Sequence, residues 1–264
     1  MTVENCAVIF QNLIFVFFLF VSAAAGDIDD SVGEKTLKDV TSLLENSDSF
    51  QAISYINNIG DADTVAEIYS NLVLDFYWKE KNLPYVITLA RAGIQYCLAK
   101  ADEFKLADPT RADEMKKKAR IISYNLASFT WPGWGEKGIA IGHSDILIGL
   151  DAARLNLRLV RELNEDDKKL SVAYWAIGAQ LLAVQKYDEA IEAFDSSKEH
   201  DRLAGDRMGE LLAEGYIGIT KIASGDETGR EILGQATKEL EEFDNEDSKF
   251  YIEQFNTALN VFIK

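Results

Sequence analysis

Ala173-Tyr-Trp-Ala-Ile-Gly-Ala-Gln-Leu-Leu-Ala-Val-Gln-Lys-Tyr-Asp-Glu-Ala-Ile-Glu-Ala-Phe194 is the stretch that decides the fold of this chain. Apolar or small residues fall at Tyr174, Ile177, Gly178 and Leu181, and again at Tyr187, Ala190, Ile191 and Phe194. Each set has the i, i+3, i+4, i+7 spacing of one helix face. Only the polar pair Gln185-Lys186 separates them, so the two helices must fold back tightly on each other. Gly178 and Ala190 are small enough for the two backbones to approach closely, and are expected to form the contact between them.

Outward from this hairpin, nearly every segment has helical spacing. Lys35 to Glu45 follows a Ser31 cap, and Phe50 to Asn58 is a short apolar helix ending at Gly60. Asp61 and Asp63 open a longer helix to about Lys81, with Ala66, Tyr69, Leu72, Val73 and Phe76 on one face. Pro84 and Pro109 stand in the first turns of two further helices, where the missing N–H costs little. Those helices run to about Phe104 and Phe129. Ser144-Asp145 is read as the cap of a helix ending at Leu163, and Asp166 begins the first helix of the deciding hairpin. Gly205 precedes a helix to Ala223, Gly225-Asp226 breaks it, and two more helices follow. Alternation of the kind a strand needs is missing over any useful length. The fold class is all-α.

The Ala173–Phe194 segment resembles the tetratricopeptide repeat, a two-helix unit with aromatic–x2–Leu–Gly–x2–apolar followed by Ala–x3–aromatic. The resemblance covers about one repeat, residues 171–204, with degenerate neighbours. Tyr69, Leu72, Val73 and Phe76 with Val86 and Ala90 form an earlier pair, Tyr124-Asn-Leu-Ala127 is similar to the first helix of another, and Ile217-Gly218 repeats Ile177-Gly178. The resemblance implies an α-solenoid: a right-handed superhelix of antiparallel helix pairs whose first helices line a concave groove. It also places Trp175, Ala179 and Gln180, which lie outside the repeat signature, on that groove. An amphipathic final helix (Phe250, Phe255, Leu259, Phe262) would cap the stack. An irregular helical bundle of other connectivity is the alternative.

The N-terminus has a different character. Leu13 to Val21 is an unbroken apolar run, too short to span a bilayer but suited to the core of a signal peptide. Ala23-Ala24-Ala25 supplies the small residues of a cleavage site, which makes residues 1–25 a signal peptide and 26–264 a single helical repeat domain. Lys and Arg are absent ahead of the run, so an uncleaved anchor extended to Val8 is the alternative. The expected localisation is exported, periplasmic or extracellular, with no membrane insertion of the mature chain. Cys6 leaves with the leader and Cys97 stands alone, so no intramolecular disulfide can support the mature fold.

With 27 basic and 44 acidic residues the chain carries −17, and −16 once Glu4 is removed with the leader. Such a field opposes nucleic acid and favours a basic partner. Lys116-Lys117-Lys118 follows Asp113 and Glu114 at helical ion-pair spacing, which makes it a solvated face. The cluster from Glu239 to Asp247 lacks calcium-loop spacing.

One segment interrupts the helical pattern. Thr130 to Ser144 holds Trp131, Trp134, His143 and the glycines 133, 135, 138 and 142. Gly133, Gly135 and Gly138 match GxGxxG formally, but no strand precedes them and no helix starts among them, so a dinucleotide site is rejected. Either the indoles fold back over an edge of a helix pair, or they line the rim of a binding groove. Trp131, at a helix end and before Pro132, is expected to be the buried one; Trp134, between two glycines, is expected to be exposed. His143 and His200 fall in no metal-ligand or nucleophile motif, and Cys97 lies on an apolar helix face. No catalytic set, metal site or cofactor is expected. The function expected is a non-enzymatic scaffold for a protein or peptide, with a small-molecule or glycan module built on the Trp131–Ser144 loop as the alternative.

Overall fold

The computed structural model describes residues 30–46 and 48–263, and the expected signal peptide lies outside them. Among the described residues there are eleven α-helices and no strand. They are α1 (Asp30–Glu45), α2 (Ser49–Asn57), α3 (Ala62–Trp78), α4 (Leu83–Phe104), α5 (Pro109–Phe129) and α6 (His143–Glu162). Then follow α7 (Asp167–Ala183), α8 (Tyr187–Ala204), α9 (Arg207–Ser224), α10 (Gly229–Glu241) and α11 (Glu246–Phe262).

Short polar side chains set the starts. Asp61, Asn82, Asp108, Asp166, Asp206 and Asn245 each accept a hydrogen bond from the backbone N–H three residues on, satisfying one of the four donors a helix N-terminus leaves open. Pro84 and Pro109 occupy first turns as expected. Gly205 and Gly225 end α8 and α9 in the left-handed region, at φ 72° and 90°, where a Cβ would be strained. Two starts differ from the sequence reading, and the first is α1, which begins at Asp30 so that Ser31 lies inside the helix rather than capping it. Helix α6 starts at His143 with Gly142 as its cap residue, because the Asp145 carboxylate reaches back to accept the Gly142 N–H at 2.8 Å.

Consecutive helices pack against each other along the whole chain. In addition α1 touches α3, α3 touches α5, α5 touches α7, α7 touches α9 and α9 touches α11, whereas α4, α6, α8 and α10 make at most marginal contact with one another. The odd-numbered helices therefore form the inner, closer-spaced layer of a curved stack and the even-numbered ones the outer layer. This is an all-α, solenoid-like fold of five successive pairs and a final helix.

The pairs close where small residues were expected, with a change of partner. A Cβ on Gly178 would stand 2.8 Å from the Phe194 ring, so α7 presses its glycine onto an aromatic of α8 rather than onto Ala190, which is nonetheless fully buried. In the next pair a Cβ on Gly218 would stand 2.8 Å from the Gly229 carbonyl oxygen and the Leu233 backbone nitrogen. There the two backbones themselves meet. One continuous apolar core runs through the stack, from Val40 to Ala258.

Candidate functional site

The segment after α5 does not rim a groove. It fills one. Trp131 and Trp134, on a short 3-10 turn (Pro132–Trp134), enter the inner layer; they are 1% and 7% exposed. The Trp131 ring lies 5.0 Å from Trp134, 5.3 Å from Trp175, 5.8 Å from Tyr216 and 6.0 Å from Phe262, between centroids. The Trp134 Nε1–H donates to the Ser128 carbonyl at 2.9 Å. A Cβ on Gly133 would fall inside the Trp131 indole, so only glycine permits the turn beneath it. Outside the cluster Glu136 pairs with Lys81 at 2.7 Å, which ties the segment to the α3–α4 connection.

The site residues expected from sequence are therefore placed otherwise. Trp134 is not exposed; its indole packs on Trp175 and its one polar atom is satisfied internally. Trp175, Ala179 and Gln180 do not face an open groove either, since each is at most 4% exposed. Trp175 belongs to the aromatic cluster, and the Gln180 amide donates to the Ala127 carbonyl of the neighbouring inner helix. The repeat signature describes contacts within a pair and says nothing of what occupies the interior beyond it. Here an inserted loop occupies it. His143 is exposed at the first turn of α6, with no hydrogen-bond partner among the described residues.

Nearer the N-terminal ends of the same inner helices, the interior is open. A cavity of about 680 Å³ lies between α5, α7, α9 and α11. Along α7 the order is Lys168, Lys169 and Val172 at the cavity, then Trp175 in the aromatic cluster; along α9, Arg207 and Met208, then Tyr216; along α11, Asp247 and Tyr251, then Phe262. Each of these helices thus passes from an open half to a filled half.

Arg120, Tyr124 and Asn156 are the buried residues of the cavity. Asn156 on α6 donates to the Arg120 carbonyl at 2.8 Å, fixing α5 against α6. The Arg120 Nε approaches Glu165 Oε1 at 3.5 Å, and Glu165 is shared with Lys169 at 3.3 Å. Burial pushes the Arg120 pKa down, and the Glu165 and Asp166 charges offset this only in part. Burial also raises Tyr124 and Tyr251, the latter helped by Asp206 and Asp247. Asp166 and Asp206 cap α7 and α9 and accept from Lys169 at 2.8 Å and Lys168 at 3.0 Å. Behind the α8–α9 turn Asp201 is 5% exposed, and burial raises its pKa to about 7. A Cβ on Gly209 would stand 2.6 Å from the Asp201 carboxyl carbon.

Sequence reasoning did not find this cavity, because its lining comes from six helices and three connections. One local signal existed. Arg120 stands in the series Arg120, Ser123, Tyr124, Ala127, a buried i, i+3, i+4, i+7 face on which it is the only charge. Among the described residues no group of three or more His, Cys, Asp and Glu is placed to hold a metal, and no helix is long and apolar enough to cross a membrane. No protein-family model matches the chain, and none of the curated proteins matches it.

Proposed function

We propose that this chain is an exported, non-enzymatic scaffold of tetratricopeptide-like helix pairs that holds a segment of a partner protein on its inner face. The observation that carries this reading is the cavity of about 680 Å³ left open between four inner helices that are otherwise packed shut. Its margin carries Phe243, a large apolar side chain 41% exposed, beside the half-buried Met208. An apolar contact ringed by charges is how protein-binding surfaces are usually built. The net charge of −17 favours a partner that is basic outside the inserted segment.

A photo-crosslinking residue at position 243, with Phe50 at the far end of the stack as control, tests the reading in cells. Position 243 should yield one protein adduct that position 50, itself 81% exposed, does not. Failure to crosslink protein from 243, or identical adducts from both positions, would refute it. Export is tested separately: N-terminal sequencing of the expressed protein should begin at or near Gly26, and an intact Met1 in a soluble cytosolic fraction would contradict it.

A further inference from the structure

The deepest charged group of the cavity is incompletely satisfied. Arg120 is 8% exposed, yet its buried Nε donates no hydrogen bond to the described residues. Its one ion pair, 3.5 Å to Glu165, is longer than a good hydrogen bond, and Lys169 competes for the same carboxylate at 3.3 Å. Burial depresses the Arg120 pKa in spite of Glu165, so desolvation outweighs the pairing that the protein supplies. A buried cation in that position costs stability unless an anion completes it.

The geometry restricts the anion. A guanidinium is a planar fork of donors, and its best match is an acceptor with two coplanar oxygens. Asp166, Asp206 and Asp247 border the same space, and the whole chain is strongly acidic. Lys168, Lys169 and Arg207 also line it, but each is already paired with a carboxylate, so a single negative charge finds its partner in Arg120 and a second charge would find none. Tyr124, Val172, Met208 and Tyr251 supply the apolar and aromatic part of the lining. The volume of about 680 Å³ falls within the range of sites that enclose small organic molecules.

We infer that the cavity binds a small organic monocarboxylate with an apolar body, its carboxylate forked onto the Arg120 guanidinium and its body between Tyr124 and Tyr251. This goes beyond the scaffold reading and does not depend on it: the acid occupies the interior, whereas the partner protein meets the margin at Phe243.

Calorimetric titration of the purified protein with octanoate and 3-phenylpropanoate, against their primary amides, is the test. Both acids should bind, and the amides should bind roughly tenfold more weakly or worse, as expected when a charge-assisted pair is lost. Arg120→Met should abolish that preference. Glu165→Gln, which frees Arg120 of its one ion-pair partner, should tighten the acids, an effect that a purely structural Arg120 would not produce. This second variant also keeps the test decisive should Arg120→Met fail to fold. Amides as tight as acids, unchanged or weakened acid binding in Glu165→Gln, or no binding of either acid would overturn the inference. So would a peptide with a free C-terminal carboxylate that displaces both acids at lower concentration, since the occupant would then be a chain end. A Phe243 adduct that persists in Arg120→Met while acid binding is absent would leave the scaffold standing and this inference refuted.

Discussion

The two halves of the inner face are built from the same helices and differ in what fills them. Toward the C-terminal ends of α7, α9 and α11, the Trp131–Trp134 turn packs a dry aromatic cluster against Trp175, Tyr216 and Phe262. Toward the N-terminal ends, no such insertion fills the space beside Arg120, Tyr124 and Tyr251, and the lining is charged at its edges. In the filled half a large apolar area is removed from water and the Trp134 Nε1–H reaches the Ser128 carbonyl, so burial supplies stability even though the Trp131 Nε1–H has no partner among the described residues. In the open half a buried cation lacks its acceptors, which is an arrangement that stability alone does not favour. The contrast teaches that a long irregular insertion in a helical stack can serve as packing, while the site it leaves is marked by an unsatisfied charge.

The largest effect that would break this comparison lies in the filled half. Trp131→Ala should destabilise by about 3–5 kcal/mol in chemical denaturation, the range for deleting a fully buried large aromatic. Trp134→Ala should fall in the same range, because its indole is buried and its Nε1–H bond to Ser128 is lost. A change near zero for Trp134→Ala would return that residue to a surface role.

Next come the pair contacts. Gly178→Leu should overpack the α7–α8 interface by about 1–3 kcal/mol, since the Phe194 ring can shift. Gly218→Leu should cost more than Gly178→Leu, because its obstacle is the backbone of α10. Glu192→Leu, on an exposed position of α8, is the control and should change stability little. Equal losses at Gly178 and Gly218 would mean that the two pairs close in the same way.

Asp201 offers a smaller effect with a defined sign. Its folded pKa of about 7 lies above the ordinary value of 3.8, so between roughly pH 4 and 7 the native state holds a proton that the unfolded chain releases. Its contribution to stability therefore falls as pH rises through that window and is constant above it. Asp201→Asn resembles the protonated form. It should match the parent near pH 4 and exceed it by about 1–2 kcal/mol at pH 8. A variant less stable than the parent at pH 8 would show that the ionised carboxylate is held by favourable contacts instead.

Smallest should be the stability change in the open half. Arg120→Met removes a poorly satisfied cation, and Glu165 keeps Lys169 as a partner at 3.3 Å. The expected change is within about 1 kcal/mol, in contrast to the usual penalty for breaking a buried pair. A loss as large as that for Trp131→Ala would make Arg120 a structural residue.

These expectations also mark how far the chain could be understood before its structure. Helix class and pairing were legible, because Gly178, Phe194, Gly218 and the Asp, Asn and Pro starts act locally. Ile177-Gly178 and Ile217-Gly218 do occupy the same place in successive pairs. The orientation of Trp134 was not legible. Its glycine neighbours suggested exposure, but burial came from Trp175, 41 residues on, and from Phe262 through Trp131. For Arg120 the local face held a signal, yet its meaning depended on Glu165, Tyr251 and an opening between helices far apart in sequence. Contacts within a pair can be read from spacing; what fills the interior of the stack cannot.

Collisional quenching by acrylamide in a Trp78→Phe variant isolates the three indoles of the filled half, since Trp78 is the remaining tryptophan and is only half-buried. If the Trp131–Trp134 turn seals that half, the folded protein should emit at short wavelength and be quenched several-fold less than the same variant in denaturant, with no change on adding octanoate. Quenching of the folded variant close to that of the denatured one would show open indoles and contradict the division of the inner face into a sealed and an open half.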